Sequence, residues 1–217
     1  MLNSKPAVTS MNINEKLQHE DGTEMTNVRR FRSLVDRLIY LTHTRPNSAF
    51  PIGIISRFMQ HPSKVHYGAT KRVLLYVVGT MEYEIWYSKS SNFKLYGFTD
   101  SGWAGSLDDK RSISANVFTL GSGVITWSSK KQATVALSTS KAEYVAATSA
   151  VCAIWLKRVL AELQQEQKGA TKIFCDNKPT ISMTKNPTFH SRTKIYWTST
   201  SLYLWSCCKG RDCLGIL

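Results

Sequence analysis

At Gly79 the spacing of the apolar residues changes, and the change calls for two kinds of architecture in one chain. Before it, Phe31, Leu34, Val35, Leu38 and Ile39 recur at intervals of three and four, which predicts an amphipathic helix from Val28 to near Arg45 and Pro46. A second helix is expected over 52–60, stopped by His61 and Pro62, and a third over 63–78, closed by Gly79. The third carries Val73, Leu74 and Val77 with the cations Lys64, Lys71 and Arg72, so a small helical subdomain with basic faces is expected. Residues 1–27, polar and rich in Asn, Glu and Lys, read as a loose lead-in.

Beyond Gly79 the chain turns to short runs of aromatic and β-branched residues over 83–88, 93–100, 114–123 and 124–129, the pattern of strands. Gly121, Ser122 and Gly123 predict a hairpin between the last two. A long helix over 140–163, a strand over 171–177 and a helix from Pro179 complete the order. Helices, a hairpin, then helix, strand and helix give an α/β fold with a mixed sheet and packed helices, preceded by the helical subdomain.

The 28 Lys and Arg residues against 15 Asp and Glu leave a net charge of +13. That excess is spread along the whole chain and suits a polyanionic partner such as nucleic acid. The five cysteines do not make a secreted disulfide framework, which points to a reduced, intracellular setting, cytoplasmic or nuclear and not secreted. The start lacks the charged and apolar parts of a signal peptide, and the run VLLYVV at 73–78 is far too short to cross a bilayer, so no membrane partner is expected.

Asp100 ends one expected strand and Asp176 another, and ligands gather at the carboxyl ends of strands in open α/β sheets. Glu143 on the long helix shares a face with Ala146, Ala147 and Ala150, small residues that let the helix lie close to the sheet. Carboxylates so gathered repel one another unless a cation neutralises them, and hard oxygens suit magnesium. Two such ions serve metal-assisted hydrolysis of a phosphodiester. A single Asp at a strand end is more often a turn former or a helix cap, and the Asp108 and Asp109 pair reads as a solvated loop. Trp103 and Trp127 are expected to pack in the core rather than to stack on a base or sugar.

The ordered series FTDSGWAG, ITWSSKKQATVALSTSKAEYVAA, IFCDN and NPTFHSRTK resembles the ribonuclease H domain of copia-class retrotransposon Pol polyproteins of the plant type. Upstream, FRSLVDRLIYLTHTRPNSAF and ISRFMQHPSKVHYGATKRVLLYVVGT look like the thumb and connection part of the reverse transcriptase of the same polyprotein. The resemblance implies a thumb and connection remnant over 28–88 and a ribonuclease H-like domain over 89–194. It further implies a hydrolase that cuts the RNA strand of an RNA/DNA hybrid with Mg²⁺, or Mn²⁺, held by Asp100, Glu143 and Asp176. Lys130, Lys131, Arg192 and Lys194 are then candidates for the nucleic-acid backbone, and His190 for an accessory role. The rest of the reverse transcriptase, where present, would be a partner.

After Lys194 the family supplies a fourth carboxylate, whereas this chain reads IYWTSTSLYLWSCCKGRDCLGIL. Residues 195–217 therefore read as an aberrant tail from a shifted reading frame in a truncated copy of a transposable element. A zinc site of Cys207, Cys208, Cys213 and His190 has no standard spacing to support it. The alternative to an active nuclease is a catalytically dead remnant that at most binds nucleic acid.

Overall fold

The computed structural model describes residues 4–12, 15–89, 93–149, 152–185 and 214–216. They fall into two units, residues 1–84 with 105–110 and residues 85–104 with 111–217. In the first unit α1 (Val28–Leu41) begins at Asn27, whose side chain accepts from the Arg30 N–H and so satisfies one of the open donors of a helix start. Its buried stripe is Phe31, Val35 and Leu38, spaced four and three, and Ile39 lies outside that stripe, partly exposed. This stripe packs with Ile52 and Ile55 of α2 (Ala49–Ile55), Phe58, and Val73 of α3 (Lys64–Gly79). α1 stops at Leu41, short of Arg45, because a turn through Thr42 to Thr44 precedes the short 3₁₀ helix begun by Pro46.

Among its described residues the segment before α1 has no helix, yet part of it is held firmly. Leu17 is buried in the same apolar cluster, and Met25 forms a single bridge with Ser63. Ser63 caps α3, accepting from the His66 N–H while its own N–H donates to His66 Nδ1 at 2.9 Å. An acceptor Nδ1 leaves the ring proton on Nε2, which faces the Gln18 carbonyl at 3.1 Å. Burial lowers the His66 pKa, and the Ser63 and Thr23 hydroxyls hold the Asp21 carboxyl down at about 2.

The second unit is built on a mixed sheet in the order β3-β2-β1-β4-β5. β1 (Leu95–Gly102), β2 (Ile113–Leu120) and β3 (Gly123–Lys131) are antiparallel neighbours, β4 (Thr171–Phe174) runs parallel to β1, and the three-residue β5 (Leu214–Ile216) adds to β4. Gly121, with φ +61, makes the tight turn between β2 and β3 where the hairpin is expected. Gly97 is needed for packing: a Cβ there would lie 2.5 Å from Ile173 Cδ1 and 2.8 Å from a Phe118 ring carbon.

One sheet face, with Leu95, Phe118 and Ile173, is covered by α4 (Thr139–Ser149) and α5 (Cys152–Glu162), which add Ala147, Ala153 and Leu160 to the core. α6 (Lys178–Lys185) follows β4. The arrangement is the α/β mixed sheet with packed helices that the sequence pattern calls for, and it is consistent with the ribonuclease H-like fold that the resemblance implies. Residues 83–88 are not a strand: they form no ladder, and Tyr83, Trp86 and Tyr87 are exposed, so no apolar row is there to bury. By length and composition Thr139–Glu162 is apolar enough to cross a membrane. Its buried face, which includes Glu143 and Lys157, is instead that of core helices laid on the sheet.

Candidate metal centre

The three candidate carboxylates come from β1, α4 and the turn after β4. Asp100 does not end its strand; β1 runs on to Gly102 because Ser101 and Gly102 still pair with Ser114 and Ile113. Its side chain is exposed, and Asp100 Oδ1 turns back to accept from the Ser101 N–H at 2.7 Å. Glu143 Oε1 accepts from that same N–H at 3.0 Å, so one donor holds two carboxylates side by side. Ser138 starts α4, its hydroxyl accepting from the Lys141 N–H, and thereby sets Glu143 in the second turn.

Asp176 sits two residues beyond β4 and is exposed. Asn177 then caps α6, its Oδ1 accepting from the Thr180 N–H at 3.0 Å. The buried Thr180 hydroxyl lies 2.9 Å from the Ser140 carbonyl of α4, which ties the start of α6 to the start of α4. As a result donor atoms of Glu143, Cys175 and Asp176 all fall within 4.8 Å of one another.

Glu143 is the buried member, 6% exposed. Loss of solvation, then the charges of Asp100 and Asp176, push its pKa up to about 7 against the opposing hydrogen bond from Ser101. Its second oxygen, Oε2, is buried with no hydrogen-bond partner. A carboxylate oxygen held out of water without a donor, beside two further carboxylates, fits a divalent cation with hard oxygen ligands.

Two residues near this centre carry structure the sequence pattern does not announce. Gln132, buried, places Nε2 2.9 Å from both the Ala142 carbonyl and the Ser114 hydroxyl, and 3.4 Å from the Ser101 hydroxyl. It pins the residue before Glu143 to β1 and β2. Cys175 is buried beside Asp176, continuing the inward row of Thr171 and Ile173. The alternation of β4 foretells its burial, but only the fold reveals its closeness to Glu143.

Lys130 is exposed at the end of β3 and Lys131 is partly buried. His190, Arg192 and Lys194 lie outside the described residues, as does the tail except for β5. Trp103 departs from the core placement expected of it. It is 50% exposed, and its indole N–H donates to the Ala136 carbonyl at 3.0 Å, because the turn through Ala104, with φ +48, carries it off the sheet.

No protein-family profile matches the chain. Individual relatives do. The retrovirus-related Pol polyprotein from transposon RE2 of Arabidopsis thaliana is 37% identical over 196 residues, covering 89% of this chain and 13% of the relative. That from transposon TNT 1-94 of Nicotiana tabacum is 38% identical over 202 residues, covering 89% of this chain and 15% of the relative. A secreted RxLR effector protein of Plasmopara viticola is 40% identical over 128 residues, covering 58% of this chain and 90% of the relative. The chain thus spans about one-seventh of the Pol polyproteins it matches along most of its own length. It belongs to the family of retrovirus-related Pol polyproteins of copia-type plant retrotransposons.

Proposed function

We propose that the second unit is a ribonuclease H-like centre that cleaves the RNA strand of an RNA/DNA hybrid, with Asp100, Glu143 and Asp176 holding Mg²⁺ or Mn²⁺. The observation that carries this reading is the buried, donorless Oε2 of Glu143 beside two exposed aspartates. Membership of the Pol polyprotein family supports it. When bound, the ions would supply Lewis-acid stabilisation of the phosphodiester oxygens and an activated water.

The chain's own residues do the positioning. Ser101 engages one oxygen of Asp100 and one of Glu143 through a single N–H, which leaves Glu143 Oε2 unengaged. Asp100 and Asp176, exposed, stand where a phosphate can reach them, while Glu143 closes the centre from the protein side. Lys130 and Lys131 are proposed contacts for the hybrid's backbone, with Arg192, Lys194 and His190 as further candidates. The rest of the reverse transcriptase is the expected protein partner, in an intracellular setting without a membrane.

The test is cleavage of a labelled RNA/DNA hybrid by the purified full chain in Mg²⁺ and in Mn²⁺. Cleavage of the RNA strand is expected, with loss in Asp100→Asn and Glu143→Gln; activity unchanged by Asp100→Asn overturns the assignment. A second reading, a nucleic-acid-binding remnant without activity, is favoured by the tail, which carries no counterpart of the family's fourth carboxylate. Salt-sensitive binding of the hybrid with no cleavage even in Mn²⁺ selects that reading.

A further inference from the structure

We infer that Glu143, Cys175 and Asp176 form a mixed oxygen and sulfur site for a thiophilic divalent cation of the zinc type. Their donor atoms lie within 4.8 Å of one another, with two buried donors below and the exposed Asp176 above. The independent sign of a missing ligand is Glu143 Oε2, which is buried with no partner in a side chain only 6% exposed. Around a tetrahedral zinc ion such donors stand about 3.5 Å apart, so closure of the order of an ångström is required. The carboxylate of Asp176, exposed and just outside β4, has the freedom to provide it.

The chemistry separates this ion from magnesium. Thiolate selects softer cations, whereas magnesium takes oxygen and water. Three protein ligands leave the fourth tetrahedral position to water. Binding is a Lewis acid–base exchange without oxidation: the sulfur–metal bond forms as the thiol proton passes to buffer, the cation's charge deprotonating the coordinating thiol. The site shares Glu143 and Asp176 with the proposed nuclease centre, so a thiophilic ion and magnesium exclude one another there. The inference needs no cleavage to be correct.

Cadmium, whose bond to thiolate gives an ultraviolet charge-transfer band, is the probe. The other four cysteines, Cys152, Cys207, Cys208 and Cys213, are replaced by serine in the full chain, and circular dichroism checks the fold. One equivalent of Cd²⁺ is expected to saturate the band, and adding Cys175→Ser to abolish it. Glu143→Gln is expected to weaken Cd²⁺ binding roughly tenfold or more, since even outer-shell partners act on that scale. Excess Mg²⁺ is expected to lower the apparent Cd²⁺ affinity.

A folded chain without the band, or a band of unchanged affinity in Glu143→Gln, overturns the inference. If the serine chain does not fold, equilibrium dialysis of zinc compares wild type with Cys175→Ser alone. A loss of one bound ion per chain supports the site, and no loss overturns it. Hybrid cleavage without the band removes this inference and leaves the nuclease reading; the band without cleavage does the reverse.

Discussion

Glu143 is the residue on which most depends. Its pKa stands at about 7 in the ion-free fold against 4.5 for an unperturbed carboxyl, so the fold favours the protonated form. A raised pKa contributes stability that is full below 4.5 and lost as pH rises through 7, leaving the ion-free chain weaker by up to about 3 kcal/mol above that range. Glu143→Gln is therefore predicted to melt at a higher temperature than wild type in chelator at about pH 8, with the gap closing by about pH 5. Added Mg²⁺ should narrow it as well, by stabilising wild type alone. A gap that is the same at both pH values contradicts the account. Asp100 and Asp176 are readable in the sequence because acidic residues after apolar runs stand out, and Glu143 because it shares a helix face with Ala146 and Ala147. Cys175 and Gln132 are not, because their importance comes from neighbours 32 and 10 residues away along the chain.

At the scale of elements, the centre depends on how α4 is fastened to the sheet. Gln132→Ala removes the Nε2 donor from the Ala142 carbonyl and the Ser114 hydroxyl, at a predicted cost of about 0.5–1.5 kcal/mol. Denaturant titration measures that cost, and the hybrid assay should show slower cleavage as Glu143 loses its anchor. Full stability and full activity in the variant would mean that the amide is incidental. The element pattern itself was largely legible: Phe31, Val35 and Leu38 mark α1, and Gly121 marks the hairpin. Residues 83–88 misled because aromatic and β-branched side chains signal a strand only where there is a face to cover them, and here Trp86 is 74% exposed. Asp100 reads as a strand end in the sequence because glycine usually interrupts a strand, yet Gly102 is carried within the ladder by its pairing with Ile113.

Across the whole molecule the charge of +13 sets how any nucleic acid is met. Affinity for a duplex should fall linearly on a logarithmic salt scale, by about 0.9 per phosphate neutralised. Lys130→Ala should reduce that slope by about one without lowering the melting temperature, as fluorescence anisotropy over a salt series would show. An unchanged slope removes Lys130 from the contact surface. The same lysine has a bearing on how copies of this chain behave toward each other. β3 has β2 as its only strand neighbour among the described residues, so an extended peptide could add only along its other side, the outer rim, where the Tyr87 hydroxyl already engages the Val124 carbonyl. Two adjacent lysines at the end of that rim make such docking between copies a meeting of like charges, which guards the sheet against growing from chain to chain.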